Sequence, residues 1–288
     1  MRRLLFLFPL LLLLSCRQDE QPAGPDSLVV EAWICQGEPP VVQLSTSIVP
    51  SEQEQGADVW ESHIIRRARV ALSDGEEEVL LTGMFRKGYF PPYVYTTGHM
   101  LGEVGKTYTL TVDTPTYHAT AVAQIPAPVP LESLEPERYG QGDSTWLLRA
   151  RFRDRPGEHN YYKFFSRTMG QDSTFLPTRL NLIDDQLLEE EEDTEVLLIP
   201  GAGIFRAEES HSYFRGGETV WIRFCTMDEG MARVWRVFDA DAVQASLPIL
   251  SSHGNLPGNV TGALGFFAGY GSSTYRVTLP PLPPATSK

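Results

Sequence analysis

Three arginines at alternating positions, Arg149, Arg151 and Arg153, put a row of guanidinium groups along one side of an extended segment. Guanidinium forks suit carboxylate or sulfate groups, so this row is a candidate anion contact. Pairing with acids of the same chain is the alternative, since networks of opposed surface charge are common. Phe266, Phe267 and Tyr270 could stack on a sugar or a peptide, or pack into a core as a closing strand. The acidic run Glu189–Asp193, with Asp184 and Asp185 nearby, could offer oxygen ligands to a hard cation, but it has no regular ligand spacing and no central glycine. A solvated loop is the expectation there. None of the six histidines, His159 among them, falls in a zinc-type spacing, and there is no nucleophile elbow or phosphate-binding glycine loop. The expected metal set is therefore none, the expected cofactor none and the expected catalytic set none.

A different residue carries chemistry at the start of the chain. Arg2 and Arg3 precede an apolar run from Leu4 to Leu14, too short to span a bilayer. A charged start, a short apolar core and a small residue before a cut are the marks of a secretory signal, here residues 1–15. Leu13-Leu14-Ser15-Cys16 resembles the bacterial lipoprotein signal, which implies diacylglycerol on the Cys16 thiol and a further acyl chain on its amino group. Several acyl chains hold a membrane far more firmly than one. Arg17-Gln18-Asp19-Glu20 resembles the surface-export tag of Bacteroidetes lipoproteins, and residues 16–26 read as a flexible tether. The expected location is the outer membrane, lipid-anchored and facing the cell exterior.

The elements that must position these residues are mostly strands. The chain has 288 residues, 22 of them proline and 24 glycine, and few long helical patterns. Its formal net charge of −13 argues against a nucleic-acid partner. About seven short strands over residues 27–126 suggest an immunoglobulin-like β-sandwich, with a hairpin at Asp74-Gly75 and a clean alternation of Tyr108, Leu110 and Val112. Alternating prolines make residues 127–130 a stiff spacer. A β-rich domain with one amphipathic α-helix is expected over 131–280, and a proline-rich tail over 281–288. The helix is expected near 227–245, capped by Thr226 and Glu229 and buried along Met227, Met231, Val234, Trp235, Phe238 and Ala242. Asp239 and Asp241 lie off that stripe and are expected in solvent. Glycines at 258, 262, 265, 269 and 271 permit positive φ and close backbone approach; their segment is expected to pack with the helix inside the second domain. Cys35 and Cys225 are either a disulfide or two buried thiols.

Four stretches together resemble the Bacteroidetes lipoprotein family known as domain of unknown function 4249. They are Leu13–Cys16, Leu28–Ile34, Gly105–Val112 and Asn255–Phe267. Cys35 and the acidic loop depart from the family pattern. The family has no assigned reaction, so the resemblance carries over no catalytic residue. It implies an accessory of a TonB-dependent outer-membrane transporter, and the first reading is a non-enzymatic protein that captures a ligand or shapes the transporter's outer face. A structural or adhesive surface module is the second reading, and a hydrolase with a dispersed site the third.

Overall fold

The computed structural model describes residues 27–47, 61–140, 145–155, 157–188, 193–201, 213–243 and 257–281. Cys16, the tether, Glu189–Glu192 and the tail beyond residue 281 lie outside the described residues.

The chain is mainly β, with several sheets and one helix of seven or more residues among the described residues. The first eight strands are β1 (Leu28–Cys35), β2 (Val41–Thr46), β3 (Arg69–Ser73), β4 (Glu78–Leu80), β5 (Thr82–Phe85), β6 (Tyr93–Thr96), β7 (Thr107–Asp113) and β8 (His118–Gln124). Five follow in β9 (Leu131–Arg138), β10 (Thr145–Phe152), β11 (Tyr161–Thr168), β12 (Leu176–Asp184) and β13 (Thr194–Leu198). The rest are β14 (Phe214–Arg215), β15 (Thr219–Met227), helix α1 (Glu229–Val243), β16 (Val260–Thr261) and β17 (Leu264–Thr278).

One eight-stranded sheet, in the order β12-β11-β15-β17-β1-β2-β6-β5, runs through both expected domains. Its two flanking partners are smaller. A five-stranded sheet, β16-β8-β7-β3-β4, packs on one half and closes a core around Val30, Ile34, Leu72, Tyr108, Leu110 and Phe267. A sheet of β13-β10-β14, with β9 beside β10, packs on the other half around Phe152, Tyr162, Phe164, Ile222 and Phe224. Side chains alternate across a strand. In β17, Phe267 enters the first core and Val277 packs on the second, and both are odd-numbered, so the two small sheets share one face of the long sheet. The even-numbered Phe266, Ala268 and Tyr270 point the other way, toward α1.

The glycine-rich segment is therefore the central strand of the molecule. It pairs parallel with β1 and antiparallel with β15. It does pack with the helix, but its other face belongs to the first core, so the expected second domain does not contain it alone. The glycines explain how. Gly265 has φ +106°, and a Cβ there would lie 1.9 Å from the Val30 carbonyl oxygen. Cβ atoms on Gly269 and Gly271 would meet the carbonyl oxygens of Gln124 and Pro126. The chain leading into the expected spacer, and Pro128 within it, thus run across the surface of β17, and Val129 of the spacer is buried in the second core. A Cβ at Gly271 would sit 2.0 Å from the Pro126 oxygen. Gly271→Ala should therefore cost about 1–3 kcal/mol, the range for overpacking, read as a lower denaturant midpoint.

The helix starts later than its capping pattern suggests. Met227 ends β15, and Asp228 caps α1 by accepting from the Met231 amide at 2.8 Å. The Thr226 hydroxyl is buried in the sheet without a partner. Strand pairing with β11 extends through Met227 and holds these residues extended.

Candidate functional site

The face of the long sheet turned toward α1 carries most of the unusual polar chemistry. Pairing across β11, β15 and β17 aligns Arg167, Trp221 and Arg276 in one cross-strand row. Trp221 lies between the two cations, with guanidinium carbons 5.8 and 6.0 Å from its ring. Arg167 also approaches the Phe175 ring at 5.1 Å, and Arg223 covers that ring at 4.0 Å. Three arginines and two aromatic rings thus form a stripe beyond the part of the face that α1 covers. Each ring holds a neighbouring guanidinium in place by the attraction of a cation for a π face.

Arg223 is the buried end of this stripe. Its Nη2 donates to Glu38, its Nη1 lies 3.5 Å from the Cys35 sulfur, and its Nε has no partner. Above it, two loops from opposite halves of the molecule meet, with Thr174 Oγ1 donating to the Gly88 carbonyl at 3.1 Å. Trp33 and Tyr89 stack nearby, with ring centroids 6.0 Å apart. Among the described residues, no carboxylate pairs with Arg167 or Arg276. Guanidinium groups beside ring faces, with no carboxylate paired to them among the described residues, have the donor chemistry that suits carboxylate or sulfate.

The two thiols on this face are not nucleophiles. Cys35 pairs with Tyr270 and Cys225 with Ser272, so β17 lies between them. Two strand spacings come to about 9.6 Å, beyond disulfide reach. Both are free and buried. Burial pushes the Cys35 thiol up to about 12, against the pull of Arg223, and pushes Cys225 well above its ordinary value. A protonated thiol is inert. Glu31, on the same face of β1 between Gln43 and Phe266, is raised to about 7 by desolvation.

Where α1 does cover the sheet, it is tied by a buried ion pair. The Lys163 ammonium is fully buried and sits 2.7 Å from both oxygens of Asp239 and 5.0 Å from the Trp235 ring. Asp239, expected in solvent, is thus the counter-ion of a core lysine. Its off-stripe position points it over the edge of the apolar face to where β11 presents Lys163. Trp235 Nε1 donates to the Tyr270 hydroxyl at 3.0 Å.

The residues singled out from sequence are placed differently. Arg149 pairs with Glu137 and Glu195, Arg151 Nε with Glu195 at 2.9 Å, and Arg153 Nη2 with Asp193 at 2.6 Å. The acids come from β9 and from β13 and the residue before it, which flank β10 on both sides. The row is an internal charge network and no open anion contact. Phe267 is buried in the first core, Tyr270 is buried under Trp235, and Phe266 packs beside them. These three are core, because β17 lies at the centre of the sheet with both faces covered. Sequence reasoning passed over Arg167, Trp221, Arg223 and Arg276. Trp221 and Arg223 alternate visibly in β15, but only strand pairing brings the other two beside them.

A separate surface cavity of about 230 Å³ lies at the far end of the first core, lined by Asp74, Glu76, Glu103, His99 and Lys106. Lys106 donates to Asp74 at 2.7 Å and holds that carboxyl well below the usual range, so its charge is already spent.

Among the described residues, no helix is long and apolar enough to cross a membrane. No curated protein matches the chain. A family model described as "Domain of unknown function (DUF4249)" matches residues 17–276, nearly the whole chain, and the protein therefore belongs to that family.

Proposed function

We propose that this is a non-enzymatic, lipid-anchored outer-membrane protein that captures an anionic ligand and serves a TonB-dependent transporter. The observation that carries the ligand class is the stripe of Arg276, Trp221, Arg167, Phe175 and Arg223. Arg167 and Arg276 offer forked donors to carboxylate or sulfate, Arg223 anchors the buried end through Glu38, and the half-buried rings offer edges and faces to a sugar ring. The anchor rests on the signal-like Leu13–Cys16, and the transporter on the family resemblance.

The probe is a sulfated oligosaccharide, compared with its unsulfated counterpart. Purified protein should bind the sulfated form, more weakly as salt rises, and the double variant Arg167→Gln/Arg276→Gln should weaken binding at least tenfold. The loss would come from two charge-assisted contacts. Arg276 is exposed and Arg167 half-buried at the same surface, so the fold should survive. Equal binding of both oligosaccharides, or an unchanged double variant, would sink the assignment. Co-purification from membranes tests the transporter, with Cys16→Ala as the unanchored control.

A surface-docking module is the second reading. It is favoured by the edge strand β5, where Met84 and Phe85 are exposed beside Leu80.

A further inference from the structure

At the outer edge of the long sheet, the pairing of Tyr161 with Asp184 brings His159, before β11, beside the end of β12. His159 Nε2 lies 2.8 Å from Asp184 Oδ1 and 3.6 Å from Asp185 Oδ1. The three donor atoms fall within 4.8 Å of one another. Four-coordinate zinc, with bonds near 2.0–2.2 Å, sets its donors about 3.4 Å apart. Of the three gaps, the first would open by about half an ångström, the second close by a few tenths, and the third, between the two carboxylates, is at most 4.8 Å and is adjusted by side-chain rotation.

The atoms behind these donors are held as a metal shell requires. Asp185 Oδ2 accepts the Asn160 amide at 2.5 Å, and Asp184 Oδ2 accepts Arg236 Nη2 at 2.6 Å. Each carboxylate thus has one oxygen fixed and the other facing His159, that of Asp184 also accepting the Gln186 backbone amide at 3.3 Å. Behind the imidazole, Nδ1 lies 3.2 Å from the Gln186 side-chain amide and 3.5 Å from the Tyr161 hydroxyl. With the amide oxygen turned inward, Gln186 would accept from Nδ1–H and leave Nε2 free for a cation, as ligating histidines require.

The surroundings are electronegative. The side chains of Asp184 and Asp185 are only 17% and 6% exposed, and Arg236 is the one cation paired with them among the described residues. Two poorly solvated carboxylates against one guanidinium leave charge for a cation to neutralise. One imidazole nitrogen with two carboxylate oxygens suits a first-row divalent ion better than calcium, which prefers all-oxygen sets.

We infer that His159, Asp184 and Asp185 form a binding site for one divalent transition-metal ion of the zinc class, with an open position toward solvent. The site lies on the same face as the arginine stripe but at the far side of α1, and it does not depend on that stripe. It ties the end of β11 to the end of β12 and, through Arg236, to the helix. The sequence concealed it because its histidine and its aspartates are 25 residues apart.

The test is titration of the purified full chain with Zn²⁺ alone by calorimetry, repeated with Co²⁺ by visible absorption. One ion per chain should bind, with the strong absorption of four-coordinate cobalt. His159→Ala should weaken binding at least tenfold, and Gln186→Leu, which leaves all three donors in place, about tenfold, as the loss of a hydrogen bond to a ligating histidine does. His118→Ala is the control, since among the described residues His118 has Asp113 at 2.6 Å and no second carboxylate paired with it, and should change nothing. Should His159→Ala fail to fold by near-ultraviolet circular dichroism, Gln186→Leu decides. No saturable binding of one ion, or binding unchanged in the deciding variant, overturns the site.

Discussion

Replacing Asp239 by alanine should destabilise the protein by about 3–5 kcal/mol, the cost of leaving a buried charge without its partner. Lys163 is fully buried, and both Asp239 oxygens lie 2.7 Å from its ammonium. Removing the carboxylate leaves the ammonium, among the described residues, the Trp235 ring as its attractive neighbour. Denaturant unfolding of the full chain measures the loss. Two further results separate a buried-charge penalty from lost packing. The paired change Lys163→Met with Asp239→Leu should be neutral or stabilising by about 1–4 kcal/mol, because it removes both desolvated charges together. The pH dependence has a definite sign. Burial, opposed by Asp239, lowers the Lys163 pKa below the ordinary 10.5. Between the folded value and 10.5 the unfolded chain holds more protons, so stability rises with pH across that window. Asp239→Ala takes away the opposing influence, so its window should open at lower pH and its rise should be larger. Equal slopes in the two proteins would show that Lys163 is not charged in the fold.

Trp235→Ala should cost about 3 kcal/mol, the low end of the range for truncating a core tryptophan, since the ring is half-buried. The ring packs edge-on to Phe165 at 5.5 Å and against Phe238, and it donates to the buried Tyr270 hydroxyl. Trp235→Phe keeps the packing and loses the hydrogen bond, so it should cost about 1 kcal/mol. The measurement belongs on the full chain. Tyr270 sits in β17, which also completes the first core through Phe267, so damage at the helix reaches both halves. A single shifted transition is the expected result. A loss below about 0.5 kcal/mol, the range of a surface change, would mean that the helix face is not held against the sheet.

The β-rich class, most strands, the hairpin at Asp74-Gly75, and the existence and apolar face of the helix are legible in the order of the residues. These are local properties. Alternation along β7, a turn glycine at φ +90°, and helical spacing of Met231, Val234 and Trp235 are visible within a few residues. The glycines between 258 and 271 were also legible as places of close approach, though not what approaches them.

Which charged and aromatic residues come together is a matter of strand order. Arg149, Arg151 and Arg153 read as a cationic row because their partners on β9 and β13 are distant in the chain, and strand pairing supplies those partners. Arg167, Trp221 and Arg276 sit on three strands far apart in sequence, and pairing makes them one stripe. The segment from Leu264 to Thr278 carries too many glycines to look like a central strand. It is one because the 124–128 crossing needs a surface without Cβ atoms to run over. Asp239 looked solvent-facing because helical periodicity reports the mean direction of a face, not the cation waiting at its edge. Each difference has the same cause. Local pattern sets which way a side chain points, while its charge partner is set by strand order, which no short window of sequence contains.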